Sequence, residues 1–400
     1  MGKGVKRKTT GVRILKYNNE TSQTQIDPKH PDIQWIITAG AQDLVWDDFV
    51  SQHFDPQPEQ TSAWGDVRSH WGWKPTRIYL KQDGVILGGA QIQEFVIKKI
   101  LRVGYISRGP LIAEGVDPLL VLRAIKWLAR KLRLSYVAVS PPYFCEPLVK
   151  AMPTAGFQIR PDALPPSVWH QATFLIDLKA DLDTLFANLR YTTRNNVRRG
   201  LRSGLEVVSG SEKDLIVFNE LMNSICVRRG THPNLPGVDF VPKLWSRFAP
   251  RGWIHLLLIR YGTETISIRL ILTIGKYARA WRIGWSGKYT KLFPNDVLNW
   301  ETIRWAKEHG FEKFDLLGAD RRDAEELLNG RAASEPYHCN ITFYKAGFGG
   351  KLVLLPNEYC YFPNPILRWC MKLGLIKVLE TKWFTGFTRL LYRKFVPRTQ

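Results

Sequence analysis

The sequence of 400 residues predicts an α+β protein built from two copies of one structural unit. In each half, three apolar segments typical of strands, separated by tight turns, precede an amphipathic helical segment and a further strand. The order and spacing agree between the halves although few residues match, which predicts a structural duplication. The alternative is that two common α+β arrangements follow one another without being related.

The first half begins its folded part near Pro31. Its first two strands are separated by Gln82-Asp83-Gly84, because Asp-Gly is a strong hairpin signal. Its helical segment, DPLLVLRAIKWLARKLRL, combines apolar residues at helical spacing with a basic outer face. The predicted elements are strands at 77–80, 85–97 and 100–107, a helix at 117–134 and a strand at 135–140.

The second half repeats this order, with strands at 253–260, 265–274 and 277–285, a helix at 296–309 and a strand at 311–318. We expect Asn295 to cap the start of the helix and Gly310 to end it. An antiparallel meander followed by a helix and a strand is the core pattern of the acetyltransferase-like (GNAT) fold. The chain therefore resembles two GNAT-like domains in tandem.

Composition restricts the class of partner and of site. The 57 Lys and Arg residues exceed the 36 Asp and Glu residues and give a net charge of +21, which favours polyanionic partners. The five cysteines are scattered without zinc-ligand spacing, so neither a disulfide framework nor structural zinc is predicted. No apolar core follows the basic N-terminus and no window reaches the about 18 apolar residues of a membrane span, which predicts a cytoplasmic protein.

A basic stretch, NLRYTTRNNVRRGLRSG at 188–204, has five arginines and no acid. Four of them recur at every fourth residue, which on a helix places them along one face: Arg190, Arg194, Arg198 and Arg202. Their rise along the helix is similar to the spacing of successive phosphates of RNA, which suggests a track for an RNA backbone. The alternative is a solvated basic face.

Five segments, in order, resemble the FemABX family of aminoacyl-tRNA-dependent transferases that build peptidoglycan cross-bridges. Each carries aromatic, glycine or basic residues at the family's spacing: QTSAWGDVRSHWGW (60–73), YISRGP (105–110), LRYTTRNNVRRGLRSGLEV (189–207), LFPNDVLNWETIRWAKEHGFEKFDLLG (292–318) and FYKAGFGG (343–350). Residues 205–252 lack sustained heptads, so the chain resembles the members without a long coiled-coil arm.

The resemblance implies an α+β fold of two tandem GNAT-like domains with substrate bound in and beside the cleft between them. We expect a basic flexible arm at 1–30, a first domain at 31–178, a second at 179–350, and a C-terminal segment at 351–400 that returns to the first domain. The implied reaction moves an amino acid from aminoacyl-tRNA to an amino group of a UDP-linked or lipid-linked muramyl pentapeptide. No metal or cofactor is implied, and we expect a monomer.

Lys345 is the predicted catalytic residue, because it occupies the family's aromatic-Lys position. A fixed ammonium can stabilise the oxyanion that forms when an amine attacks the tRNA ester, or hold the terminal adenosine phosphate. The alternative is a solvated lysine in a loop before Gly347. No general base is identified from the sequence.

Further candidates concern the acceptor. Arg68, Lys74 and Arg108 are predicted to bind its diphosphate. Arg108 is alternatively a structural arginine of its turn. Trp64 lines the muramyl-peptide pocket or belongs to the core, and the region of Tyr289 and Asp296 faces the acceptor peptide in this family. Asp296 is more simply an acid in the first turn of its helix.

The C-terminal stretch 366–398 mixes aromatic and aliphatic residues with Lys and Arg and contains one acid, Glu380. This composition is typical of a helix at a membrane surface and would suit a lipid-linked substrate at the inner face of the plasma membrane. The alternative is a helix packed on the first domain with a basic outer face.

Two other functions remain open from the sequence. An acyl-CoA-dependent N-acyltransferase on the same fold would need a glycine-rich pyrophosphate loop, and no convincing copy precedes either helix. A non-catalytic basic protein that binds RNA or membranes would need none of the ordered motifs at 60–73 and 343–350.

Overall fold

The computed structural model describes residues 22–97, 101–161, 164, 171–330 and 341–372. The strands are β1 (Gln23–Ile26), β2 (Gln34–Thr38), β3 (Lys74–Gln82), β4 (Val85–Ile97), β5 (Leu101–Ser107), β6 (Leu111–Ile112), β7 (Tyr136–Ser140), β8 (Gln158–Ile159), β9 (Ala172–Asp177), β10 (Leu205–Ser209), β11 (Ile254–Tyr261), β12 (Glu264–Ile274), β13 (Tyr277–Trp285), β14 (Lys313–Asp315), β15 (Lys351–Leu354) and β16 (Tyr359–Tyr361). The helices are α1 (Leu44–Gln52), α2 (Ser62–Ser69), α3 (Pro118–Lys131), α4 (Glu146–Thr154), α5 (Leu182–Ala187), α6 (Tyr191–Arg202), α7 (Leu215–Arg228), α8 (Phe240–Phe248), α9 (Pro294–Glu308), α10 (Arg321–Leu328), α11 (Ile341–Ala346) and α12 (Pro365–Lys372).

The strands form two sheets, the first built mainly from the first half of the chain and the second mainly from the second half. The first has the order β1-β2-β3-β4-β5-β7-β16-β8, with β6 added to β4, and the second has the order β10-β11-β12-β13-β14-β9-β15. In both, three antiparallel strands are followed by a helix and a strand that pairs in parallel with the third: β5 with β7, and β13 with β14. The predicted strand, helix and strand order of each half is therefore present in the fold.

The two parallel pairs differ in length. The first joins Val103–Ser107 to Tyr136–Ser140 over five residue pairs, which is the whole of β7 and all but the first two residues of β5. The second joins Tyr277–Arg279 to Lys313–Asp315 over only three, although β13 continues to Trp285. Beyond Arg279 no described strand pairs with the edge of β13 that faces β14, and we call the place where the two strands part the opening.

Several boundaries differ from the predictions. The predicted first domain, 31–178, contains β9, yet β9 pairs with β14 and β15 in the second sheet. The predicted C-terminal segment, 351–400, contributes β15 to the second sheet and only β16 to the first. The predicted arm, 1–30, is wrong at its end because Gln23–Ile26 pair with β2. These strands are short, and strand pairing between distant segments leaves no local pattern in the sequence.

The second long helix begins earlier than expected. It starts at Pro294, and its N-cap is Phe293 in a left-handed conformation with φ +54° instead of the predicted Asn295. Proline suits the first helical position because its fixed φ is helical and no N–H is needed there. Its end agrees with the prediction, since α9 stops at Glu308 and Gly310 has φ +78°.

The two halves are joined by packing and by buried polar contacts. Helix α2 of the first half packs on α8 of the second, and Asp66 of α2 pairs with Arg247 of α8 at 2.5 Å. Apolar side chains from both helices share one core cluster, including Val67 and Leu244. No helix within the described residues has the length and hydrophobicity needed to cross a bilayer.

Candidate active site

The opening between β13 and β14 receives side chains from three helices. Helix α9 brings its first turns to the face of β12, and α11 ends beside the segment that follows β14. Helix α6 packs along α9 and is joined to α11 where Arg190 hydrogen-bonds the carbonyl oxygen of Phe343. Residues far apart in the sequence therefore meet at one end of the second sheet.

Lys345 lies at this opening. Its ammonium donates to the carbonyl oxygens of Leu317 and Gly318, the latter at 2.9 Å, directly beyond the end of β14. Burial, and then the charge of Arg269, lower the pKa of Lys345 to about 7, although Asp315 acts in the opposite direction. An ammonium has three donors, so this one is held in position by two and keeps a third.

Arg269 and Tyr344 form the polar layer next to Lys345. Arg269, buried on β12, donates from Nη2 to Asn299 Oδ1 at 2.6 Å, and Asn299 Nδ2 donates to the Tyr344 hydroxyl oxygen at 3.0 Å. The Arg269 Nε has no hydrogen-bond partner within the described part of the chain. Burial lowers the pKa of Arg269 to about 10, and among the described carboxylates none compensates for it. The site is thus electropositive and partly desolvated.

Asp296 lies within electrostatic reach of this layer. Its Oδ1 accepts a hydrogen bond from Asn196 Nδ2 at 3.3 Å, which links the first turn of α9 to α6. Burial raises the pKa of Asp296 to about 6. Burial, and then the charge of Asp296, raise the pKa of the Tyr344 phenol well above its usual value. The carboxyl group therefore lies within electrostatic reach of the residue that precedes Lys345.

The four predicted arginines do not form one exposed row. Arg190 stacks on the ring of Phe343 at 3.8 Å, and Arg194 donates from Nη1 to the carbonyl oxygens of Ala187 and Leu189, at 2.5 Å in each case. Both guanidinium groups are thus engaged with the protein, and Arg194 caps the end of α5.

The exposed arginines of α6 follow Arg194, in the second half of the helix. A surface groove is lined by Asn195, Arg198, Arg199, Arg202 and Ser203, and we call it the arginine groove. Arg199, which the period-four pattern does not include, belongs to it. Among the described carboxylates, none forms an ion pair with its three arginines, so their positive charge is available to a ligand.

Asp315, which the sequence reasoning did not select, joins the two halves. It accepts from the Tyr143 hydroxyl at 2.5 Å and from Thr173 Oγ1 at 2.5 Å, and Arg279 Nε lies 4.0 Å from its Oδ2. Arg279 in turn donates to Gln57 of the first half at 2.7 Å. The signal was present in the motif FDLLG, in which Asp315 is the only charged residue.

Arg108 belongs to the same interface. It is buried, has φ +55°, and lies over the ring of Tyr143 at 4.9 Å. Burial, followed by the charge of Asp315, raises the pKa of Tyr143 well above its usual value, so its hydroxyl stays protonated and donates to Asp315. Arg108 is therefore placed against the contact between the halves.

The other predicted acceptor residues lie at the α2 end of the first half. Trp64 packs edge-on against Phe240, Phe248 and Trp281, within an aromatic cluster that both halves share. Arg68 lies over Trp73 at 4.3 Å, and Lys74, at the start of β3, is exposed. Arg68 belongs to the helix that packs on α8, and Lys74 directly follows Trp73 in the sequence.

Tyr289 contacts a different part of the structure from Trp64, Arg68 and Lys74. Its hydroxyl donates to Glu264 Oε2 at 3.2 Å, and its ring contacts that of Tyr261 at 5.0 Å between centroids. It begins the turn that leads into α9. Within the described residues, no group of three or more His, Cys, Asp or Glu is arranged to hold a metal ion.

Comparison with known proteins agrees with this architecture. Residues 187–325 match the acetyltransferase (GNAT) domain family. The crystal structure of FemX is similar over 82% of this chain and 97% of its own length, with a TM-score of 0.70 and 17% identity. A conserved protein of unknown function from Bacteroides thetaiotaomicron VPI-5482 is similar over 80% and 97%, with a TM-score of 0.51 and 11% identity. No curated protein sequence matches the chain.

These likenesses confirm the predicted fold class, an α+β fold of two tandem GNAT-like units, and the predicted resemblance to the FemABX family at the level of fold. The match to the GNAT domain family covers the half that contains Lys345's neighbours Arg269 and Asn299 and the opening between β13 and β14. The fold is thus one on which acyl groups are transferred, and the opening lies in its second unit.

Proposed function

We propose that this protein, which has the fold of FemX, moves an amino acid from aminoacyl-tRNA to an amino group of a peptidoglycan pentapeptide precursor, forming interpeptide bridges. The observation that carries the proposal is the ammonium of Lys345, which two carbonyl groups hold at the opening of the second sheet. An ammonium with fixed geometry suits a reaction in which negative charge develops on a carbonyl oxygen.

The chemistry assigns a role to that charge. The acceptor amine attacks the ester carbonyl on the terminal ribose, a C–N bond forms, and the carbonyl oxygen becomes an oxyanion. Lys345 stabilises this oxygen with its third N–H donor. The C–O bond to the ribose then breaks, the carbonyl re-forms as an amide, and the ribose oxygen takes up a proton.

Asp296 is our candidate for the group that accepts the proton of the attacking amine. Its pKa of about 6 leaves it mostly ionised at pH 7, close to the value that favours a general base. Asn196 supports its orientation by a hydrogen bond. This role replaces the predicted contact of Asp296 with the acceptor peptide and supplies the base that sequence patterns did not identify.

The arginine groove supports an RNA donor. Three exposed guanidinium groups on α6 that no described carboxylate neutralises favour a polyanion, and α6 packs against the helix that carries Asp296. Arg190 and Arg194 enter this proposal only as residues that hold α6 in place, because their guanidinium groups bind backbone carbonyls.

Arg68 and Lys74 support an acceptor that carries a diphosphate, either UDP-linked or lipid-linked. Arg68 is on the helix that packs on the second half, and Lys74 directly follows Trp73, over which Arg68 lies. A substrate between the two units would lie beside this contact. Trp64 and Arg108 would shape this region through the aromatic cluster and the Tyr143 contact.

The start of α12 supports contact with the inner face of a membrane. Ile366, Leu367 and Trp369 are exposed, Trp369 by 62%, and Arg368 lies among them. Exposed apolar side chains beside cations suit an anionic lipid surface. The remainder of the predicted stretch, 373–398, lies outside the described residues.

Trp369→Ala should weaken binding to vesicles containing anionic phosphatidylglycerol and leave binding to neutral phosphatidylcholine vesicles unchanged.

The decisive experiment offers the protein a pool of charged tRNAs together with purified precursor and reads the product by mass. We expect a precursor heavier by one or more amino acid residues, and ribonuclease should abolish its formation. Turnover of acetyl-CoA without tRNA would instead favour an acyl-CoA-dependent N-acyltransferase. RNA or vesicle binding with a steep salt dependence and no product from any donor would favour a non-catalytic protein.

A further inference from the structure

Two exposed tyrosines form a pair on the surface of the second half. Tyr261 ends β11 and Tyr289 begins the turn before α9, and their side chains are exposed by 38% and 39%. Their ring centroids are 5.0 Å apart and the ring planes meet at 57°. Rings that meet at this angle leave a face of each open, so this tyrosine pair presents aromatic surface to solvent.

The tyrosine pair borders the arginine groove. Gly204 directly follows Ser203 of the groove, and a Cβ at Gly204 would lie 3.9 Å from the Tyr261 ring. On the other side, the guanidinium of Arg199 lies over the ring of Phe293 at 5.5 Å. Phe293 ends the turn that Tyr289 begins. The cations and the aromatic rings therefore form one continuous surface.

The backbone holds Tyr289 in place. Tyr289 and Phe293 have φ +53° and +54°, in the left-handed region that bulky side chains rarely occupy. The Tyr289 hydroxyl donates to Glu264, and Lys288 pairs with the same carboxylate at 2.7 Å. The lysine balances the charge of Glu264, so the acid does not exclude a polyanion from this surface.

We propose that the tyrosine pair stacks nucleobases of the single-stranded 3′ end of the donor RNA while the arginine groove holds its phosphates. Aromatic rings beside a cationic groove are the combination that binds single-stranded nucleic acid, because every base has a face that can stack. The inference rests on the proposed function, and it assigns Tyr289 to the donor instead of the acceptor peptide.

The position of the pair fits the chemistry. The reacting ester is at the 3′ end of the RNA, so the bases next to it must lie near the site. Helix α9 begins directly after Phe293 and carries Asp296 and Asn299 to the polar layer around Lys345. An RNA chain that passes from the arginine groove over the tyrosine pair would therefore continue along α9 toward the opening between β13 and β14.

The test uses an uncharged acceptor-stem RNA hairpin with a four-nucleotide single-stranded 3′ end. A second hairpin has the same backbone with abasic residues in that end. The dissociation constants of the full-length protein for both are measured by fluorescence anisotropy. We expect the wild type to bind the base-containing hairpin about tenfold or more tightly than the abasic one.

The variants separate stacking from other effects. Tyr261→Ala and Tyr289→Ala should reduce binding of the base-containing hairpin toward the abasic level and leave binding of the abasic hairpin unchanged. Tyr261→Phe and Tyr289→Phe should retain wild-type affinity, because stacking does not need the hydroxyl. Phe54→Ala, at an aromatic residue of the first half that is exposed by 52%, is the matched control and should change neither constant.

Equal binding of both hairpins by the wild type would overturn the inference, as would alanine variants that lose affinity equally for both. The amino acid transfer assay is separate. Transfer without discrimination between the hairpins overturns only the role of the tyrosine pair. If the protein binds the base-containing hairpin more tightly than the abasic one but transfers nothing to the precursor, the role of the tyrosine pair is supported and the proposed acceptor is not. If the protein shows no transfer and no RNA binding, both the proposed function and the role of the tyrosine pair are overturned.

Discussion

Replacement of Lys345 by methionine tests the proposed chemistry most directly. The substitution keeps a long flexible side chain and removes the ammonium, which donates to Leu317 and Gly318. Because two of its three donors are engaged by these carbonyls, the third is held in one direction with little freedom left to lose. We expect the variant to fold and to bind charged tRNA while transfer is strongly reduced.

The magnitude follows from the number of donors lost. Removal of one oriented donor to an oxyanion lowers kcat by about 10²- to 10³-fold, which corresponds to roughly 3–4 kcal/mol of transition-state stabilisation. The pKa of about 7 adds a pH dependence: the ammonium must be protonated to act, so kcat/KM should fall as pH rises through 7. Between pH 7 and pH 8 the protonated fraction falls about fivefold.

The assay is single-turnover transfer from charged tRNA to precursor between pH 5.5 and 9. Lys345→Arg provides a second variant, because a guanidinium remains charged throughout this range and should remove the decline above pH 7. Lys351→Met, at an exposed lysine of β15, is the matched control and should leave kcat unchanged. Thermal unfolding measured for each protein identifies any loss that is due to misfolding.

Full activity of the methionine variant would refute the assigned role of Lys345. So would a decline above pH 7 that persists unchanged in Lys345→Arg, because the titrating group would then be another one. A rise in KM for charged tRNA at unchanged kcat would mean that the lysine holds the terminal phosphate and does not stabilise the oxyanion.

Four further predictions concern neighbouring regions. Alanine at all three arginines of the arginine groove should lower the slope of log Kd for tRNA against log salt by about 2–3, whereas the exposed Arg322→Ala should lower it by less than one. Arg194→Ala should instead lower the melting temperature, since its guanidinium caps α5. Tyr143→Phe removes the hydrogen bond to Asp315 and should cost about 1.5–3 kcal/mol of unfolding free energy in urea titrations; an unchanged value would contradict its role in joining the halves. Asp296→Asn should abolish the decline of kcat/KM below pH 6, because that decline reflects protonation of the base, and persistence of the decline would assign the base elsewhere.

Local signals in the sequence located the regular elements well. The helix predicted at 117–134 is α3 (Pro118–Lys131), and the strands predicted at 265–274 and 277–285 are β12 and β13 within one residue. These segments have strong periodicity and clear turn residues. The missed strands β9 and β15 pair from Lys351 with Leu175 to Leu354 with Ala172, and only the complete sheet brings these distant segments together.

The site was predicted less completely, for a similar reason. Lys345 was selected from its motif, yet its carbonyl partners at Leu317 and Gly318 follow from the end of β14. The period of four in α6 identified a basic helix, but it could not show that Arg194 bends back to cap α5 while Arg199 faces solvent. Side-chain direction depends on what packs around the helix, which periodicity does not contain.

The duplicated order of elements, the positive charge and the motifs that carry the candidate residues can all be recognised in the sequence, because propensity, periodicity and charge are local properties of the chain. Three features follow from the folded arrangement alone: β13 and β14 separate after three residue pairs, Asp315 and Tyr143 join the halves, and the arginines of the arginine groove form no ion pair with a described carboxylate. Each of these depends on contacts between segments distant in sequence, where burial and strand pairing select one arrangement.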